Sequence, residues 1–308
     1  MKTGILLSYK GLGSNLLHLS YCHEIAKKKG PVTIITFCPV LKQALDEDPL
    51  IKEVIYLEKY YKKLIDIFNL SNFLRKLNLD SIFIFYPSIR FFLSSKLARI
   101  DKIFIYPLFK KKNLHLVNAA KKFTEKNLEI ENCPTETTIY INSKNLNEKS
   151  ISDKKKVLLG IGSSGPTTKW GEKNFISLIK KLNKDKNYTF YLLCGPNEEE
   201  IAENIISNTK ELDCISLSKK NISQILPIIS SCSIYIGNDS FGHHIASQRK
   251  IPSFVIMLDT PRAYTDYSKY QFRILPNNVS EDKITHDSAF SPDSITVDMV
   301  MNKIKLFL

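Results

Sequence analysis

The sequence predicts an α/β protein of two doubly wound domains, and three observations carry that reading. Short β-rich apolar runs alternate with helix-length segments; the alternation falls into two series; a polar stretch with almost nothing to bury separates them. At 308 residues, 43% hydrophobic and 24% charged, the chain is long enough for two cores of ordinary size.

In the first series the strand candidates are TGILLS (3–8), PVTIITF (31–37), EVIYL (53–57), DSIFIFY (80–86) and KIFIYP (102–107). Helix-length segments at 15–29, 60–77 and 113–127 lie between them, so the strands are expected to be parallel with crossover helices. NSKNLNEKSISDKKK (142–156) is the expected hinge. The second series runs KVLLGIG (156–162), YTFYLLC (188–194), DCISL (213–217), CSIYIG (232–237) and PSFVIM (252–257). PDSITVDMVMNKIKLFL (292–308) opens with Pro and Asp at helix-entry positions and predicts a terminal helix. Parallel sheets collect ligands beyond the carboxyl ends of their strands, so the two domains are expected to face a central ligand-binding cleft.

No run approaches the roughly 18 to 20 apolar residues of a membrane span, and the first twenty residues lack a small-residue cleavage site, so a cytoplasmic location is expected. Six scattered cysteines, without a CxxC pair, read as small buried apolar residues. The net charge of +13 is uneven: 24 basic residues stand against 14 acidic ones up to residue 150, and 20 against 17 after it. The excess includes Lys27 to Lys29, Lys62 with Lys63, and Lys110 to Lys112. Only six of the 44 basic residues are arginine and no aromatic-basic recognition module is present, so nucleic acid is not an expected partner. A phosphorylated glycan or an anionic membrane surface fits the cationic first half better.

Four stretches carry candidate chemistry. KGLGSN (10–15) follows a strand and opens a helix, where Gly13 lets backbone amides approach an anion and Ser14 reads as the N-cap. It lacks the third glycine of a dinucleotide fingerprint and the GK[ST] ending of a P-loop. SSGPTTKWGEKNF (163–175) offers Ser163, Ser164 and Lys169 to a diphosphate, with Trp170 packed underneath. CGPNEEE (194–200) leads into a helix whose acidic first turn, Glu198 to Glu200, is explained by the helix dipole alone. CSIYIGNDSFGHHIAS (232–247) places Asp239, Ser240, Gly242 and His244 where a strand meets a helix. Asp46 and Asp48 have the spacing of a metal motif but lie in a proline-containing turn without supporting ligands, so no metal is expected there.

The last three stretches, with matching spacing over residues 156–258, resemble the donor domain of glycosyltransferase family 9, the lipopolysaccharide heptosyltransferases. GLGSNLLHLS (11–20) and DPLIKEVIYL (48–57) resemble its first half more loosely. The resemblance implies GT-B architecture, two Rossmann-like domains, with an acceptor-binding domain over 1–148 and a nucleotide-sugar donor domain over 149–308. It implies metal-independent, inverting transfer of a sugar, typically heptose from ADP-heptose, to an acidic glycolipid at the cytoplasmic face of the inner membrane. It further implies that Lys169 holds the donor phosphates, with Ser163 and Ser164 nearby. Glu198 or a neighbour would take the ribose hydroxyls, and Asp239, Ser240 and His244 would line pyrophosphate and sugar.

Two departures from the family pattern matter. Ser14 stands where the family has a catalytic aspartate, and a hydroxyl cannot serve as base at neutral pH; His18, one turn on, is the expected replacement, titrating near 6.5. Phe241 stands where glycine is common beside the diphosphate. The first departure also motivates an alternative, a catalytically inactive nucleotide-sugar binding protein of the same fold.

Overall fold

A computed structural model describes residues 1–58, 63–107, 115–141, 154–163, 165, 167–183, 187–286, 288 and 290–308. Most of the expected hinge, the lysines at 62 and 110–112, and Ser164 lie outside the described residues. The chain divides into two compact units, Met1–Tyr140 and Ile141–Leu308, where the sequence led us to expect a boundary after residue 148.

The first unit holds five strands, β1 (Thr3–Leu7), β2 (Val32–Thr36), β3 (Ile51–Tyr56), β4 (Ser81–Ile84) and β5 (Lys102–Ile105), all parallel in the order β3-β2-β1-β4-β5. Ile5 pairs with Ile34 on one side and Phe83 on the other, and β1 is buried along its whole length. This two-sided burial is why the strand reads as a continuous apolar run. The expected helix over 15–29 is two pieces, Leu12–Leu16 and Leu19–Lys29. Ser14 is therefore not an N-cap: Gly11 occupies that position and Ser14 lies inside the first turn. Buried Asn15 sets the path here, donating to the carbonyls of Tyr9 (3.0 Å) and Gly11 (2.7 Å) and accepting from the Thr36 hydroxyl (2.8 Å). Helices Leu41–Leu45 and Ile89–Leu97 were not anticipated, the first because it is short and the second because Phe85–Phe92 carries β-type aromatic residues.

In the second unit six parallel strands, β6 (Lys155–Gly160), β7 (Tyr188–Leu193), β8 (Asp213–Ser216), β9 (Ile234–Asn238), β10 (Ser253–Ile256) and β11 (Gln271–Ile274), run in the order β11-β10-β9-β6-β7-β8. Strand β11 escaped the sequence reading because QFRI is four residues long and half polar. Trp170 is wholly buried, edge-on to Phe175 at 5.1 Å, and its indole N–H donates to the Ile295 carbonyl (2.7 Å). The terminal helix is Val297–Ile304. It starts later than expected because Thr296 is the cap, its hydroxyl accepting from the Met299 N–H (3.3 Å); Pro292 and Asp293 form a separate short turn. All six cysteines are free, five of them buried.

Replacing Asn15 with alanine leaves the buried Thr36 hydroxyl without its acceptor and takes a donor from two partly buried carbonyls. We expect Asn15→Ala to lose roughly 1–3 kcal/mol, read as a lower urea midpoint at unchanged slope.

Candidate functional site

Because β6 lies between β9 and β7, the loops that follow these three strands are neighbours at the carboxyl end of the sheet. Glu198 ties two of them together. One carboxylate oxygen accepts from the Ser163 N–H (3.0 Å) and pairs with the Lys169 ammonium (2.6 Å), and the other accepts from the Gly195 N–H (3.2 Å). Burial would raise the Glu198 pKa, but the bonds from Lys169, Ser163 and Gly195 outweigh it and hold the carboxyl below its ordinary range. A side chain at position 162 would displace the Glu198 carboxylate, since a Cβ there would sit 2.1 Å from one of its oxygens. Glu198, of which a ribose role was expected, has its carboxylate engaged by three protein donors. Lys169 stays partly exposed, and among the described residues its ammonium pairs with Glu198 alone, which leaves N–H donors for a phosphate.

The third loop is fixed from below. Asn238 accepts from the Trp170 N–H (2.9 Å) and donates to the Ile161 carbonyl (2.8 Å), so the loop after β6 is pinned to the end of β9. Ser163 joins the same arrangement, its hydroxyl donating to the Asp239 carbonyl (3.2 Å) and touching Thr168. Ser240 caps helix Phe241–Gln248 by accepting from the Gly242 N–H (3.4 Å). A Cβ on Gly242 would meet Leu193 at 2.3 Å, so glycine is required for the helix to approach β7.

Asp239 does not cap the helix: its carboxylate binds the Nε2 of His243 (2.6 Å), one turn along. The other His243 nitrogen faces the Gln271 amide (3.0 Å). His244 is buried with Nδ1 on the Tyr267 hydroxyl (2.5 Å), and burial followed by the adjacent His243 pushes its pKa well down, so it is neutral. The sequence reading missed His243, Asn238, Tyr267 and Gln271; only the Asp239 to His243 spacing of one helical turn signalled any of them. Possible ligand atoms of Asp239, His243 and His244 lie within 4.8 Å of one another. His243 nonetheless has both nitrogens engaged by Asp239 and Gln271, which makes this a hydrogen-bonded relay of side chains.

In the first unit Gly13 is the second residue of its helix, where its carbonyl accepts from the Leu17 N–H (2.9 Å) and its own N–H belongs to the first turn, which has no intrahelical acceptor. The base role expected of His18 meets a physical obstacle. Its ring is fully buried, stacked on Tyr9 at 4.8 Å and edge-on to Phe85 at 5.4 Å, with Nδ1 on the Ser14 carbonyl (2.7 Å). Burial lowers its pKa to about 4, partly opposed by the Ser14 bond, instead of leaving it near 6.5. Asp48 is buried against His23 (2.7 Å) and accepts from the Leu50 N–H (3.0 Å), a structural role that accounts for its presence beside Asp46.

Two pH signatures follow. Glu198, with its folded pKa below the ordinary 4.5, contributes stability that is complete above that value and lost as pH falls through the folded pKa. Glu198→Gln is expected to be less stable near neutrality and to show a shallower acid limb in thermal unfolding followed against pH. His18 stays neutral while the unfolded chain takes a proton, so stability falls as pH drops from 6.5 towards 4; His18→Phe removes that part of the slope.

Comparison with known proteins gives a consistent result. The profile of glycosyltransferase family 9 (heptosyltransferase) matches residues 98–283. Curated protein sequences return no match. Among solved structures, the chain is similar to the Escherichia coli ADP-heptose lipopolysaccharide heptosyltransferase II, with a TM-score of 0.78 at 16% identity, over 100% of this chain and 98% of that one. It is equally similar to the family 9 glycosyl transferase of Veillonella parvula, with a TM-score of 0.78 at 16% identity, over 99% and 97% of the two chains. The E. coli heptosyltransferase WaaC with ADP follows, with a TM-score of 0.75 at 15% identity and full coverage of both. The two parallel α/β units are those of the GT-B fold, and the profile covers well over half of the sequence: the chain belongs to glycosyltransferase family 9.

Proposed function

We propose that this protein transfers a sugar, with heptose from ADP-heptose as the leading donor, onto a lipopolysaccharide-core or related cell-envelope glycan, with inversion at the anomeric carbon. The second unit is the donor-binding domain and the first the acceptor-binding domain, working from the cytoplasmic side on an acidic glycolipid. One observation carries this reading: Lys169, anchored by Glu198, and the N-terminus of helix Phe241–Gln248 are brought to one end of a parallel sheet, where a diphosphate would be held.

In the reaction an acceptor hydroxyl attacks the anomeric carbon while the bond from that carbon to the diphosphate oxygen breaks, and the hydroxyl proton passes to solvent water. Negative charge grows on the departing ADP. Lys169 and the backbone amides after Ser240 supply positive potential without a metal, and electrostatic stabilisation of the leaving group is the main catalytic term. Ser163 adds a hydroxyl close to the same loop, Ser164 lies beside it in sequence, and Asp239 stands at the helix entrance, with buried, neutral His244 behind it as support.

A second reading, an inactive nucleotide-sugar binding protein, is favoured by a specific observation. The first turn, from Tyr9 to Asn15, contains no carboxylate, and His18 is sealed in the core. Binding and turnover separate the two readings.

Thermal unfolding against a panel of nucleotide sugars is the direct test. ADP-heptose and ADP are expected to raise the melting temperature, and Lys169→Ala to weaken ADP affinity about tenfold or more, which is about 1.4 kcal/mol. Transfer is expected to persist in EDTA and to give the opposite anomer. Stabilisation by uridine or guanosine sugars alone would overturn the donor assignment. Binding without transfer by the wild type, together with transfer by Ser14→Asp, would establish the second reading.

A further inference from the structure

Half of the exposed large apolar side chains among the described residues fall on two adjacent helices of the first unit, Ile65–Lys76 with its cap residue Leu64 and Ile89–Leu97. Leu64 is 80% exposed, Phe68 59% and Ile89 59%, with Ile65, Leu93 and Leu97 beside them. The helices lie side by side, since the Ser94 hydroxyl donates to the Ile67 carbonyl (3.1 Å) and Arg75 donates to the Leu97 carbonyl (2.8 Å). Their other faces are already spent on the core through Leu70, Leu74, Phe91 and Ala98. Ile89, Leu93 and Leu97 recur every four residues, an apolar stripe facing water that folding does not require.

We propose that this surface docks onto an anionic lipid bilayer. The inference deepens the reading that the acceptor is a glycolipid and rests on it for its biological sense. Charge selects the occupant: between Lys63 and Arg99 six basic residues stand against two aspartates, Asp66 and Asp80. Lys63 and Lys96 are exposed next to the apolar side chains, Lys96 lying over the Phe92 ring at 5.9 Å. A second copy of the chain would bring like charges together around this stripe, whereas anionic headgroups neutralise them as the apolar side chains enter the acyl boundary. No described helix is long and apolar enough to cross a membrane, so docking would be peripheral.

The test is flotation of the purified full chain with vesicles of phosphatidylcholine containing about 30% phosphatidylglycerol, against phosphatidylcholine alone. Binding to the anionic vesicles is expected, weaker at high salt. Phe68→Ser with Leu93→Ser is expected to lower the bound fraction by about tenfold, and Lys63→Glu with Lys96→Glu to weaken binding on anionic vesicles. Ile215→Ser, at an exposed apolar position of the second unit, should change nothing. Each variant is also read for stabilisation by ADP, which reports folding and donor binding independently of lipid. Failure of the wild type to float while ADP still stabilises it would overturn the docking surface and leave the donor reading intact. Undiminished flotation of both double variants would overturn it as well. A lipid-free dimer by light scattering, dissociated by Phe68→Ser with Leu93→Ser, would assign the surface to a second copy and overturn it too.

Discussion

One carboxylate organises the candidate site. Glu198 accepts hydrogen bonds from two backbone amides on different loops and from the Lys169 ammonium, and the chain is bare at Gly162 so that it can approach. Each bond to a charged group contributes on the order of 1.5–3 kcal/mol, enough together to outweigh the burial that would otherwise neutralise the carboxyl. The consequence is positional. Lys169 is the flexible end of a long side chain, and ordering it on a ligand costs rotamer entropy; the Glu198 pair has already restricted it. The same pair is weaker as a stability device than its short distance suggests, because Lys169 remains partly exposed.

The loop after β9 is built on a different principle, with buried neutral groups in place of charge. His244 is kept uncharged by burial and bonds the Tyr267 hydroxyl, while the Gln271 amide bonds His243 beside it. Asp239, the one charge, is turned onto His243. Its negative potential at the helix entrance is thereby partly offset, which leaves the amides beyond Ser240 available to an anion. The first unit shows the opposite economy. His18 and Asn15 belong to the scaffold around the first turn, one sealed under Tyr9 and the other tying Tyr9, Gly11 and Thr36 together.

Ten of the eleven strands among the described residues were legible as β-rich apolar runs, because parallel strands buried on both faces write continuous hydrophobic segments. Strand β11 was not, since an edge strand of QFRI has too little of that signal. Lys169, Glu198, Asp239 and Ser240 were legible as polar residues at strand-to-helix junctions, but their partners were not. Glu198 reaches back 35 residues to Ser163, and Asn238 reaches 68 residues to Trp170; no local pattern encodes such pairs. Asp239 was legible as a polar residue at the helix entrance, but its bond to His243 was not, because the helix pattern alone does not say which partner the carboxylate takes. His18 was read as a base because helical spacing puts it near Ser14, whereas spacing carries no information on which face of that turn is buried.

The central claim is that Glu198 presents Lys169 to the donor diphosphate, so the two residues act as one unit. A double-mutant cycle of ADP affinity measured by calorimetry on the wild type, Lys169→Met, Glu198→Gln and the double variant tests it most directly. The account predicts that each single change weakens ADP binding and that the double variant binds no worse than Lys169→Met alone. Strictly additive losses, or full affinity in Glu198→Gln, would contradict it.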